Sequence, residues 1–213
     1  MSHADGHRTA LGFLSVAATD ELGGQGVRVL DPHSTLISSS ATFGAGTVIY
    51  PGVVISTEQR SRIDIGEGCV LYPGCLLEAR DGGRLVIGDD VELGPGGVTI
   101  RAGSQDAIVV DDHARLSGNC ELSGGCELGR GAQILGPISA RSVRLGGGRG
   151  GYRWPNPDER GAVLKGVGLA DGITLAQGEV RSCRPSFGDV PTERQSRYHP
   201  RPTTGRRNRA DER

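Results

Sequence analysis

Three blocks of the sequence align at a period of 22 residues. They open at Phe43-Gly44-Ala45-Gly46, Ile65-Gly66-Glu67-Gly68 and Ile87-Gly88-Asp89-Asp90. Each runs into a second six-residue unit, at Ile49-Tyr50-Pro51-Gly52, Leu71-Tyr72-Pro73-Gly74 and Leu93-Gly94-Pro95-Gly96. A third unit opens at Ile55, Leu77 and Thr99. The next block starts ten residues after Ile55 and Leu77, so each block is three hexapeptides plus an insertion of four. After Thr99 the gap is eleven, to Val110. From there Val110, Leu116, Leu122, Leu128 and Ile134 follow at six without interruption. A fixed period of this length is the mark of a solenoid, in which each repeat buries its apolar side only by stacking on its neighbours.

The columns carry physical meaning. The first position is aliphatic. Four residues on stand small side chains: Thr47, Val53, Cys69, Cys75, Val91, Gly97, Ala114, Cys120, Cys126 and Ala132. The position before those is mostly glycine, with Asp90, His113 and Asn119 as exceptions, residue types that tolerate positive φ. Each hexapeptide therefore reads as a short strand followed by a corner, and three corners close a triangular coil. So narrow a core takes Ile, Leu, Val and small residues but few rings. Phe, Trp and Tyr together number only 8 of 213 residues, as that geometry requires.

These units resemble the left-handed parallel β-helix, or hexapeptide-repeat, superfamily. The resemblance covers residues 29–145 and returns over 162–180. It implies an all-β fold with left-handed coils, a hand that periodicity alone does not give. It also implies a homotrimer, because the flat faces of such solenoids usually pack three-fold.

Outside the repeat, residues 1–28 read as an N-terminal cap. Residues 9–22 suit one short amphipathic helix ended by Gly23-Gly24, lying over the first coil and covering its strand edges. Leu30 to Leu36 reads as a first unit with one extra residue near His33. Residues 146–161 break the repeat as a loop rich in Gly and Pro. Their G-x-G-x-x-G, at Gly146, Gly148 and Gly151, is followed by Tyr152-Arg153-Trp154-Pro155 rather than a helix, so it is not read as a dinucleotide site. An aromatic–Arg cluster on a long loop suits contact with a ligand or a neighbouring subunit, or one ring packed on the solenoid. Repeat spacing resumes at Val163, Leu169 and Leu175, with Gly166, Gly172 and Gly178 in the turn slot. Residues 181–213 hold nine Arg and four acids, and read as a disordered, Arg-rich tail.

The net charge of −1 argues against a nucleic-acid partner, and no apolar run is long enough to cross a membrane. The start of the chain lacks a basic-then-apolar leader pattern, which points to a cytoplasmic protein. Cys69, Cys75, Cys120 and Cys126 all fall in the inward column and read as small core residues, with Cys183 in the tail. There is no C-x₂-C pair, and only His33 and His113 lie in the solenoid. The three-His zinc site of the γ-class carbonic anhydrases is therefore not available, and no metal is expected.

The largest functional group with this fold is the acyl-CoA-dependent acyltransferases. The resemblance implies acetyl-CoA or another acyl-CoA as co-substrate and a small hydroxyl or amine acceptor, such as a sugar. A His would act as general base. His113 is the candidate here, with Asp111 or Asp112 to orient its imidazole. The family's catalytic His usually stands one column earlier, where this chain has Glu67, Asp89 and Asp112 among others and no His. Arg153, Trp154 and Lys165 are candidate CoA contacts by position. The alternative is a non-catalytic binding or scaffold protein that keeps the solenoid without the chemistry.

Overall fold

Alternation within each short strand turns one aliphatic side chain inward per hexapeptide, and a left-handed corner residue then redirects the chain. The computed structural model describes residues 3–58, 60–104 and 106–184. Among these residues the chain forms three parallel sheets of eight, seven and seven strands. Every strand pairs with those one coil before and after it, so the molecule is a three-sided β-solenoid. The first face runs from Arg28–Val29 to Val180–Cys183, the second from Leu36–Ile37 to Gly168–Asp171, and the third from Thr42–Phe43 to Thr174–Leu175.

The core is three vertical stacks. Ile49, Leu71, Leu93, Leu116, Ile134 and Leu164 are in register on the first face. Ile55, Leu77, Ile100, Leu122, Ala140 and Ala170 form the second stack. Ile65, Ile87, Val110, Leu128, Leu145 and Leu175 form the third. All are buried. Each such Ile or Leu contributes about 1.5–3 kcal/mol on burial.

The register differs from the sequence columns in two places. Ile100, not Thr99, points inward, and Val98, not Gly97, fills the small column. Gly96 and Gly97 both have positive φ, +94° and +80°, so this corner uses one residue more than the Pro73-Gly74 corner below it. The spacing from Ile100 to Val110 is then ten again, as in the blocks before. In the last coil Leu164 and Ala170 are inward, while Val163 is half-buried and Leu169 is 72% exposed. Pairing of Leu164 with Ile134 and of Ala170 with Ala140 fixes that register.

The four-residue insertions sit at the corner between the second and third faces. They lengthen the strands that follow to Arg62–Ile65, Arg84–Ile87 and Ala107–Val110. In each, the inward position that Cys126 and Val143 fill in the uninserted coils is taken by a larger side chain, Ile63, Leu85 or Ile108.

The cap is not one helix over 9–22. It is helix His3–Ala10, helix Val16–Asp20 and a 3₁₀ turn Glu21–Gln25. Gly12 takes φ +83°, and Phe13 bridges antiparallel to Ser38, which breaks the helix. Ser15 restarts it by accepting the Ala18 N–H. Gly23 and Gly24 lie inside the 3₁₀ turn, and the left-handed exit is at Gly26. Buried Arg8 fastens this cap by donating to the carbonyls of Leu14 (3.1 Å), Pro32 (2.9 Å) and Thr35 (2.5 Å).

At the other end, strand Val180–Cys183 pairs with Val163–Gly166, so the solenoid continues three residues past the expected boundary at 180. The rest of the Arg-rich tail, expected to be disordered, lies outside the described residues from 185 onward. Among the described residues no helix is long and apolar enough to cross a membrane.

Candidate functional site

His113 stands at the corner that leads from the third face to the first, between strands Ala107–Val110 and Arg115–Ser117. Its φ is +56°, and its backbone N–H donates to the Asp89 carbonyl at 2.8 Å. Corner residues stack coil on coil, so His113 sits directly over Asp90, itself at φ +53°. The imidazole Nδ1 is 3.5 Å from Asp90 Oδ2, with 36% of the His113 side chain exposed. Neither Asp111 nor Asp112 makes that contact. Asp90 is the partner that the sequence reading passed over. The signal was present: Asp90 and His113 are the charged or titratable members of one turn column, in successive coils.

Asp112 does something else. Its Oδ1 accepts the Asp89 N–H at 2.9 Å, just as Asp89 Oδ1 accepts the Glu67 N–H at 2.7 Å one coil below. Arg130 donates to Asp112 Oδ2 at 2.7 Å from the coil above. These carboxylates bind corner to corner. A Cβ at Gly88 would lie 2.5 Å from Asp112 Oδ1, so glycine is what admits this ladder.

Arg130 first, then the Asp89 N–H, holds the Asp112 carboxyl below the usual aspartate range. A lowered folded-state value means the stabilisation is present above the unfolded pKa of about 4 and is lost as pH falls through the folded value. Asp112→Asn should therefore flatten the acid side of the stability profile below about pH 5. Thermal melts across that range check this; an unchanged acid slope would contradict it.

The 146–161 loop rests on this corner. The Gly148 N–H donates to the Arg130 carbonyl at 2.8 Å. The Trp154 indole donates to Glu159 at 3.0 Å, and Arg160 Nε donates to the Trp154 carbonyl at 2.7 Å. The indole first, with Arg149 adding to it, holds Glu159 below its ordinary range. A Cβ at Gly150 would come within 3.0 Å of the indole ring, and one at Gly151 within 3.4 Å of His113 Cβ. Two glycines thus let the loop close down on both. Tyr152 lies beside them, its ring centroid 4.9 Å from the Arg115 guanidinium carbon and 5.1 Å from that of Arg153.

The expected site residues are therefore partly together. His113, Asp112, Arg153 and Trp154 belong to one corner and its loop. Lys165 does not: it is exposed on the first face and lines a small hollow with Val167, Leu169 and Cys183 at the last coil. A larger hollow, about 450 Å³, lies on the third face against Val109, Asp111, Glu127, Arg144 and Thr174. It reaches the His113 corner through Asp111, Gly129 and Gly146. His33 is exposed near the cap, where its N–H donates to Asp31 at 3.0 Å.

The core cysteines are free thiols. Burial pushes Cys69 and Cys75 up to about 11 and Cys120 to about 12. They stay protonated at neutral pH, which suits packing rather than nucleophilic or metal chemistry. Among the described residues no group of three or more His, Cys, Asp or Glu side chains is placed to hold a metal ion. No protein-family profile matches the chain, and no curated protein matches it in sequence.

Proposed function

We propose that the chain is an acyl-CoA-dependent acyltransferase with His113 as general base, acting on a small hydroxyl or amine acceptor. The observation that carries the reading is the corner itself: one accessible imidazole, a carboxylate at its Nδ1, and an anchored loop over it. Closing that 3.5 Å contact to a hydrogen bond would hold the proton on Nδ1 and leave Nε2 to accept one. In the reaction His113 takes the proton from the acceptor as its oxygen or nitrogen attacks the thioester carbonyl. The C–S bond breaks, and the proton passes to the CoA sulfur. Asp90 steadies the imidazolium that forms. Arg153 and Trp154 are the proposed contacts for the phosphates and adenine of acyl-CoA; Lys165 joins them only if a neighbouring subunit brings its face to the loop.

The resemblance to hexapeptide-repeat proteins supports this reading; the left-handed coil and homotrimer that it implies, and a cytoplasmic setting, are part of the proposal. The test is CoA-thiol release over a panel of sugar, alcohol and amine acceptors. Acceptor-dependent release that is lost in a His113 variant would support the proposal; equal release in that variant would overturn it. A non-catalytic scaffold is the second reading. It is favoured by one observation: Asp89 and Asp112, at the position where the resembled enzymes place their His, are occupied in the backbone ladder.

A further inference from the structure

Arg115 and Arg153 stand on either side of Tyr152 in the chain's path, one on the first face and one on the loop. Both guanidinium carbons are within about 5 Å of the same ring centroid, so they lie within about 10 Å of each other. Arg115 Nε is shielded from solvent and has no hydrogen-bond partner; its nearest carboxylate oxygen, on Glu92, is 3.6 Å away, beyond hydrogen-bond length. Arg153 is exposed and makes no ion pair among the described residues. Arg115 is thus ion-paired with Glu92 without a hydrogen bond, as Arg149 is with Glu159 at 3.5 Å, whereas Arg130 is hydrogen-bonded to Asp112 at 2.7 Å. Two guanidinium groups against one ring, with Glu92 the single carboxylate paired to them among the described residues, leave a net positive charge for a negative group, since guanidinium forks pair with carboxylate and phosphate oxygens. His113 is two residues from Arg115, and a Cβ on Gly151, the residue before Tyr152, would lie 3.4 Å from its Cβ.

We propose that Arg115 and Arg153 bind the anionic group, a carboxylate or a phosphate, of the acceptor and hold its nucleophile toward His113; Arg153 then serves the acceptor and not the CoA phosphates, which leaves Trp154 as the acyl-CoA contact on the loop. Assigning that anion to the acceptor rests on the acyltransferase reading; the anion site itself does not. The Tyr152 ring is the surface that both guanidinium groups rest against.

Trp154 is the only tryptophan in the chain and lies in the same loop, so its fluorescence reports on the site. The full chain is titrated with inorganic phosphate and, separately, with succinate, at matched ionic strength. A saturable change in the millimolar range with either anion is expected, and the preferred one tells phosphate from carboxylate. Arg153→Gln alters an exposed side chain and should keep the fold while weakening binding roughly ten-fold, as should Arg115→Gln. Arg84→Gln, on the third face, should leave binding unchanged. No saturable change with either anion, or equal binding in Arg153→Gln, would overturn the site. Anion binding without any response to acetyl-CoA would sink the transferase reading alone. Acetyl-CoA binding without anion binding would sink the anion site alone.

Discussion

Ile100→Ala is expected to cost about 2–5 kcal/mol of stability, while Thr99→Ala should cost less than about 1 kcal/mol. Ile100 is fully buried between Leu77 and Leu122, and its truncation leaves a hole that flanking coils are too tightly paired to close. Thr99 is on the outer side of the same strand, between Leu76 and Glu121. The hexapeptide columns alone predict the reverse, because they put Thr99 inward. Urea unfolding of the two variants decides between the registers. A larger loss for Thr99→Ala would mean that the double-glycine corner at Gly96-Gly97 has been misjudged, and with it every contact of that coil.

Replacing His113 should have the larger effect on activity. His113→Asn is the suitable variant, because Asn tolerates the positive φ of this corner far better than Ala does. It removes the base and keeps a small polar side chain over Asp90. Turnover should fall about 10²- to 10⁴-fold with the melting temperature nearly unchanged. Asp90→Asn should cost less, about ten-fold, since it removes the partner and leaves the base. Full turnover in His113→Asn would take His113 out of the mechanism.

Much of the fold is legible in the sequence because a solenoid is written in local, repeated terms. The aliphatic column at Ile49, Leu71 and Leu93 and the small column at Cys69 and Cys75 can be read off without knowing any long-range contact. Where one residue is added, as at Gly96-Gly97, the count alone cannot say on which side of the corner the extra residue falls. Only the ladder between coils, with Ile100 opposite Leu77 and Leu122, settles it. The last coil failed for a similar reason: Leu169 has the spacing and the hydrophobicity of a core residue, yet pairing places Ala170 inside. The cap was misread because the Gly12 turn and the Phe13 bridge to Ser38 depend on the coil beneath them.

The site was half legible. A lone His in a glycine column, and an aromatic–Arg run on a loop, both stand out in the sequence. What they touch does not. Asp112 is adjacent to His113 in sequence and pairs instead with Arg130, while Asp90 is 23 residues away and lies beneath the imidazole. Adjacency in a solenoid runs along the stack as much as along the chain. Arg115 was missed altogether, since its meeting with Tyr152 requires the loop to fold back over the corner.

The most direct measurement is a thermal-shift titration of the full chain with acetyl-CoA, against free CoA and a salt-matched blank. Saturable stabilisation that grows as RT ln(1 + [L]/Kd) is the predicted result. No shift up to about 1 mM ligand would place any affinity weaker than about −4 kcal/mol. That outcome would contradict the acyltransferase account and leave the solenoid as a scaffold.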